Sequence, residues 1–282
     1  MASIATVVIP TYQRAEMLRV CLQATALACE SVPPGTVDVV VSDDSRDQIT
    51  LQLVQKEFPW VHYVQGPRRG PASNRNCGAA TANSPWLVFV DDDCIPDPQW
   101  LTAYIAAMRT GGSAMLLEGR TYADRPRRSY AEESPVNETG GGLWSCNMAI
   151  STALFRRLGG FCESFPYPAL EDVELRLRLQ AAGHQPIFVP TASVCHPFRP
   201  RRGWRYVRQH NESYRHLLML HPELAQSMRW ADIVLNTARM LKSVAVDAWR
   251  YGLPGTGRVI YSTFSKAWID MAFRLRRPQS SS

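Results

Sequence analysis

Apolar and polar positions alternate along the first third of the chain in two periods. Residues 3–9 are a short apolar run rich in β-branched side chains, and the run stops at Pro10. From Glu16 to Cys29 apolar residues recur every three or four positions, which predicts an amphipathic helix. Val37 to Val41 predicts a second buried strand, ending at Ser42-Asp43-Asp44-Ser45; Asp47 to Phe58 predicts a helix and Val61 to Val64 a third strand. Gly70-Pro71 opens a helix of small residues to Ala82, since proline at the first helical position gives up an N–H that has no partner there. Trp86 to Val90 is a fourth strand. Strands alternating with helices imply parallel βαβ units and a sheet covered on both faces. Ligands of such sheets sit at the carboxyl ends of the strands, so the polar residues just after each strand are the ones to follow.

Past residue 110 the alternation weakens. Ala114 to Thr121 predicts a strand, 122–142 a polar, Gly-rich loop, and Leu143 to Ile150 another strand. Leu170 to Ala182 predicts a helix with Leu170, Val173 and Leu177 on one stripe, stopped by Gly183, and Pro186 to Val189 a short strand. From Gly203 to near Arg277 the pattern is helical, broken at Pro222 and at Gly252 to Gly255; Pro278 to Ser282 are expected to be disordered. The division this suggests is one α/β domain over 1–200, with halves 1–110 and 111–200, and a helical extension over 201–282.

Composition narrows the class. Of 282 residues, 45% are hydrophobic and 20% charged, which is ordinary for a chain with a real core and excludes a collagenous or low-complexity one. No apolar run approaches the ~18 residues of a membrane span. The first residues have no basic flank or cleavage pattern, so no secretory signal is expected. Seven scattered cysteines without a C-x-x-C pair fit a reducing compartment rather than a disulfide framework or structural zinc site. The net charge of +6 is unevenly spread: residues 1–200 carry 17 Lys and Arg against 20 Asp and Glu, and residues 201–282 carry 14 against 5. An acidic body with a basic tail predicts different partners for the two.

The strongest local signal is Asp91-Asp92-Asp93 directly after the fourth strand. Extended as strand, Asp91 and Asp93 would share one face and Asp92 the other. Two carboxylates on one face repel unless a cation lies between them, and Mg²⁺ or Mn²⁺ takes oxygen ligands of this kind. The plain alternative is an acidic turn. Pro10-Thr11-Tyr12-Gln13-Arg14 offers hydroxyls, a stacking face and an anion donor, or simply a helix entry. Asp43-Asp44-Ser45 either accepts a base or ribose hydrogen bond or caps the next helix. Arg68 to Asn76 surrounds a helix start, itself an anion site, with basic and small residues, or is simply a solvated basic turn. Glu171 and Asp172 begin a helix, where acids suit the macrodipole; Asp172 with Arg176 and Glu174 with Arg178 have i,i+4 spacing. The sharper reading of Asp172 is a general base beside a substrate hydroxyl. His196, after the last strand, is a structural histidine or a metal ligand, and imidazole suits Mn²⁺ better than Mg²⁺.

In their order, VVIPTYQR, VVVSDDS, GPASNRN, VFVDDD and then LED about 80 residues later, these segments resemble the inverting glycosyltransferases of family 2, with the GT-A fold, over roughly residues 3–200. The resemblance implies a metal-dependent transfer of a sugar from a nucleoside-diphosphate sugar, commonly a UDP-sugar, to an acceptor hydroxyl. It implies that Pro10, Thr11, Tyr12 and Arg14 meet the nucleotide, that Asp44 holds the base, and that Arg75 lies near the base and diphosphate. Asp91 and Asp93 match the D-x-D motif, with Asp93 the direct metal ligand and Asp92 beside it. Asp172 matches the catalytic base, preceded by Glu171, and His196 a histidine that some members add to the metal. Trp144 and Asn147 match the strand beside the donor sugar and acceptor. The processive synthases of the family carry Q-x-x-R-W and membrane spans. Here Arg205-Tyr206-Val207-Arg208-Gln209 stands instead, which implies addition of a single sugar.

Other classes fit less well. Nucleotidyltransferases need a Gly-rich loop near the first strand, and Pro10 to Gln13 contains no glycine. D-x-D phosphatases need the acids after the first strand rather than the fourth. A non-catalytic nucleotide-sugar-binding or membrane-associated scaffold is the alternative, and the intact set Asp91, Asp93 and Asp172 argues against it. Arg199, Arg201, Arg202, Arg205 and Arg208, interleaved with Trp204 and Tyr206, leave three options open. They bind an anionic, lipid-linked acceptor, lie on an anionic membrane, or pack on the catalytic domain. Nucleic acid is not expected, because acids at the pocket edge would repel it. The location this predicts is cytoplasmic, with the inner face of the membrane as the candidate contact.

Overall fold

In the computed structural model, residues 3–111 and 115–275 are described. The chain divides into two compact units. The first comprises residues up to Arg125, Ser134–Ser164 and Glu171–Pro197; the second comprises Pro126–Glu133, Phe165–Leu170 and the chain from Phe198 onward.

The first unit begins with β1 (Ala5–Thr11), α1 (Ala15–Glu30), β2 (Val37–Asp43), α2 (Ile49–Glu57), β3 (His62–Gln65), α3 (Pro71–Ala80) and β4 (Trp86–Val90). Then come β5 (Ile95–Pro96), α4 (Trp100–Thr110) and β6 (Leu116–Tyr122). In chain order β7 (Glu132–Glu133) follows and belongs to the second unit. The first unit resumes with β8 (Asn147–Ser151), α5 (Thr152–Arg157), α6 (Glu171–Ala181) and β9 (Ile187–Cys195).

Its eight strands lie in the order β3-β2-β1-β4-β8-β6-β9-β5. The first four are parallel, as the alternation predicts, and β6 is parallel to β9; β8 runs antiparallel to both neighbours, and β5 antiparallel to β9. Alternate strand residues feed two cores. Val7, Ile9, Val88 and Val90 pack with Leu18, Leu22, Trp100 and Tyr104 on one face. Val8, Leu87 and Phe89 pack with Leu154, Phe155, Phe161 and Leu175 on the other. Burial on both faces is why these strands read as continuous apolar runs. The small residues of α3 have a steric reason: a Cβ on Gly78 would come within 2.7 Å of Val8 Cγ1, so only glycine lets this helix lie against β1.

Several predicted elements shift. The strand expected from Leu143 starts only at Asn147, because Leu143 has a φ of +47° and cannot continue a ladder. The short strand at Pro186 to Val189 is nine residues long. Its register against β6 jumps between Gly119 and Arg120, a bulge that accommodates Pro190 and restores pairing from Ser193 onward. For the strand predicted from Ala114, that first residue lies outside the described residues, as do Pro278 to Ser282.

In the second unit β7 pairs antiparallel with β10 (Arg199–Pro200). Four helices follow: α7 (Trp204–Leu220), α8 (Pro222–Ser227), α9 (Trp230–Tyr251) and α10 (Thr256–Leu275). The breaks fall at Pro222 and Gly252 to Gly255, as predicted, and also at Met228-Arg229. No helix among the described residues is long and apolar enough to cross a membrane. All seven cysteines are free.

Candidate active site

The chain runs outward from β1 to β2 and β3, then returns to the other side of β1 as β4. That reversal opens a crevice at the carboxyl ends of β1 and β4, the place where open α/β sheets bind ligands. Thr11 and Arg14 reach it from one strand and Asp91, Asp92 and Asp93 from the other.

The three acids do not alternate as a strand would set them. The strand ends at Val90, and a turn closed by the Cys94 N–H on the Asp91 carbonyl (3.1 Å) aims each acid differently. Asp92 is buried and accepts from Thr11 Oγ1 (2.7 Å) and Arg14 (3.1 Å). Burial pushes its carboxyl up to about 6 against the pull of Arg14. Asp93 lies 3.3 Å from Arg14 and 3.4 Å from His196 Nε2. Asp91 turns to Arg75, which donates to its Oδ1 at 2.6 Å.

Arg75 is the hub. Its side chain is 6% exposed, and its second terminal nitrogen donates to Glu171 Oε1 at 3.0 Å. Burial alone would lower its pKa, but Asp91 and Glu171 reverse the sign and raise it. The guanidinium also lies 5.6 Å from the Phe161 ring centre. The start of α6 is thereby tied to the end of β4. Asp172 follows Glu171 and accepts from the Val173 N–H at 2.8 Å. Burial and then Glu171 push its carboxyl up to about 6, with Arg75 opposing. Of the two i,i+4 pairs, Glu174–Arg178 forms at 2.6 Å; Arg176 donates instead to the Gly141 carbonyl.

His196 is buried, and its Nδ1 lies 3.1 Å from the Pro197 carbonyl. A carbonyl only accepts, so the imidazole donates from Nδ1 and turns Nε2 toward Asp93. Asp93, Cys94 and His196 place ligand atoms within 4.8 Å of one another. The Cys94 thiol is held well above its usual pKa, first by its hydrogen bond with Cys146, and is therefore a neutral donor. The Asp93 carboxyl and the His196 imidazole that remain are a donor pair that fits a divalent ion.

The other predicted residues divide. Tyr12 is 57% exposed at the crevice mouth, whereas Pro10 is buried within β1. Asp44 spends both oxygens on backbone N–H groups, Arg68 at 2.9 Å and Gly70 at 3.1 Å, and so shapes the loop before α3. Only glycine fits at 66, where a Cβ would stand 2.3 Å from Asp44 Oδ1. Trp144 is half-buried against the core. Asn147 uses its amide within the fold: its Oδ1 accepts from Trp100 and Tyr104, and its Nδ2 donates to the Arg120 and Ala192 carbonyls. Sequence reading passed over Glu118, which is buried and accepts from Asn137 Nδ2 (2.6 Å) and the Gly141 (2.7 Å) and Leu143 N–H groups. A lone acid inside an apolar strand was its signal.

The fold and the acids at its switch point define a glycosyltransferase of the GT-A type. The model of Glycosyl transferase family 2 matches residues 6–159, more than half of the chain, and the chain belongs to that family. It is 30% identical over 219 residues to validoxylamine A glucosyltransferase of Streptomyces hygroscopicus subsp. limoneus, covering 63% of this chain and 48% of that protein. The chain thus spans about half the length of the curated relatives it first matches. Among solved structures it is similar to the mannosyltransferase PcManGT from Pyrobaculum calidifontis in complex with GDP-Man and Mn²⁺. The TM-score is 0.61 at 15% identity, covering 98% of this chain and 88% of that one. It is also similar to S. aureus TarS 1–349 in complex with UDP, with a TM-score of 0.56 at 16% identity, covering 97% and 90%. These last two likenesses are of fold.

Proposed function

We propose that the protein moves a single sugar from a nucleoside-diphosphate sugar, UDP-sugar first among the candidates, to an acceptor hydroxyl, with inversion at the anomeric carbon. The observation that carries this reading is the Arg75 bridge. One buried guanidinium joins Asp91 to Glu171, which lies 96 residues beyond it in sequence, and so brings Asp172 to the strand-end acids.

Asp172 is the general base. Lifted to about 6, it stays ionised at neutral pH yet holds a proton better than an exposed carboxylate. It takes the proton of the acceptor hydroxyl as that oxygen bonds to the anomeric carbon. The bond from that carbon to the diphosphate oxygen breaks on the opposite face, and no covalent enzyme intermediate forms. Tyr12 offers the nucleotide a stacking face, and Arg14, whose side chain is 43% exposed, a cation for its phosphates. Asp44 acts on the base through the loop it holds. Asp93 and His196 would hold the divalent ion, which supplies Lewis-acid neutralisation of the leaving diphosphate. The relatives' complexes with GDP-Man, UDP and Mn²⁺ support the donor and metal classes.

In the same reading the second unit meets an anionic membrane surface, at the inner face in a cytoplasmic enzyme, and the acceptor is lipid-linked. Trp230, Val234, Trp249, Phe264 and Trp268 are exposed large apolar side chains of α9 and α10, in a region of strongly positive charge.

The test is calorimetric binding of UDP, GDP and dTDP with Mn²⁺, Mg²⁺ or EDTA. The expected result is metal-dependent binding of UDP that Asp93→Ala weakens by about tenfold or more. Binding of none of the three overturns the reading.

A further inference from the structure

The helices α7, α9 and α10 of the second unit, with Glu133, Arg201 and Arg202, border an open-sided cavity of about 510 Å³, within the size range of small-molecule sites. Arg202, Arg258, Lys266 and His210 line it with nitrogen, and Val207, Ile233, Met240, Val259 and Ala267 line it with carbon; Asn236, Thr237, Ser262 and Thr263 add neutral polar groups.

The acids on the same walls are already engaged. Glu133 lies between Arg199 (3.8 Å) and Arg201 (3.7 Å), Asp232 pairs with Arg229 at 3.0 Å, and Asp270 accepts the Tyr214 hydroxyl at 2.5 Å. Among the described residues no carboxylate comes within ion-pair distance of Arg202 or Lys266. Arg202 rests on the Tyr206 ring (4.3 Å) and Lys266 on the Tyr214 ring (4.9 Å). Arg258 is held in place by the Arg201 and Arg202 carbonyls, at 3.1 and 3.0 Å. Both unpaired cations bear on His210, whose pKa is lowered first by burial and then by Lys266 and Arg202. Positive groups facing one another across a partly dry space repel, and an anion placed among them removes that cost.

We propose that this cavity binds a phosphorylated amphiphile, with its head on Arg202, Arg258 and Lys266 and its chain along Val207, Ile233, Met240 and Val259. A free phosphate would leave most of the space empty and the apolar walls uncovered, whereas a chain lying along them removes that surface from water. The proposal does not depend on the donor-site reading, because its test uses neither donor nor metal.

The test is calorimetry of the full chain in EDTA with three probes: farnesyl phosphate below its aggregation concentration, farnesol, and inorganic phosphate. Farnesyl phosphate is expected to bind about tenfold or more tighter than either of the others, head and chain each contributing. The double variant Arg202→Gln/Lys266→Gln loses that advantage. So does Ser262→Glu, which sets a carboxylate in the cavity wall; it is the second route should the double variant misfold by circular dichroism. Asp93→Ala binds farnesyl phosphate as the wild type does. Equal affinity for inorganic phosphate (an anion site only), equal affinity for farnesol (an apolar cavity only), no binding, or loss in Asp93→Ala each overturns the proposal.

Discussion

The two units spend their apolar residues in opposite ways. All seven residues of β1 are buried, whereas of the 22 residues of α9 only Ile233 and Val244 are. Of the 23 exposed large apolar side chains among the described residues, 15 lie at or beyond Trp204. In the first unit the sheet consumes its apolar side chains on both faces. What is left over is polar, and it collects where the strands stop. There nearly every charge has a partner: Asp92 with Thr11 and Arg14, Asp91 and Glu171 with Arg75, Asp93 with Arg14 and His196. In the second unit much of the carbon faces outward, and Arg202 and Lys266 make no ion pair among the described residues. Charges satisfied from within build a rigid reaction site; carbon and cations left unsatisfied build a surface that other molecules complete.

The contrast breaks most sharply at Asp172. Asp172→Asn is expected to lower turnover about 10²–10⁴-fold while leaving nucleotide affinity nearly unchanged. Initial rates alongside nucleotide calorimetry check this, and an equal loss of affinity would make Asp172 a binding residue instead.

Arg75 comes next. Arg75→Met leaves Asp91 and Glu171 facing each other without a cation and should cost about 3–5 kcal/mol in urea denaturation. Adding Glu171→Gln should recover part of that loss. In the second unit, Arg229→Ala removes an exposed pair with Asp232 and should leave the denaturation midpoint where it was. Equal effects at the two sites would erase the distinction drawn between the units.

The pH dependence has a fixed sign. The base must be ionised, so kcat/KM should fall about tenfold per unit as pH drops below about 6. Folding raises this carboxyl above its unfolded value, so it favours the protonated form. The stability it contributes is present at low pH and lost as pH rises through about 6. Asp172→Asn should therefore melt higher than the wild type at pH 8 and no higher at pH 4, in scans at both pH values. A variant that melts lower at pH 8 would show that the carboxylate is needed for folding.

A small effect is expected at Trp249, 89% exposed. Trp249→Ser should weaken co-sedimentation with anionic vesicles about fivefold and leave the melting temperature unchanged. A drop in melting temperature with no change in sedimentation would mean that the residue packs against protein.

Much of this was legible in the sequence. Runs such as Val39 to Val41 and Trp86 to Val90 admit one reading, because strand segments buried on both faces are apolar throughout. Pro71 and Gly252 to Gly255 punctuate helices through backbone geometry that no partner alters. The order of strand ends, each followed by polar residues, is likewise written into the chain. Burial and backbone preference act over a few neighbouring residues, and a sequence displays them directly.

What lay beyond it was orientation. That Asp91 faces Arg75, Asp92 faces Thr11 and Asp93 faces His196 follows from a turn whose partners lie 16, 81 and 103 residues away. Asn147 was expected beside the sugar, but Trp100 and Tyr104 claim its amide from a helix more than 40 residues earlier. Glu118 was overlooked because its value lies in a loop that folds back on it only in three dimensions. The length of β9 was hidden by Pro190, which a bulge against β6 accommodates. Hydrogen bonds and ion pairs form between groups that meet in space, and which groups meet is decided only when the sheet closes.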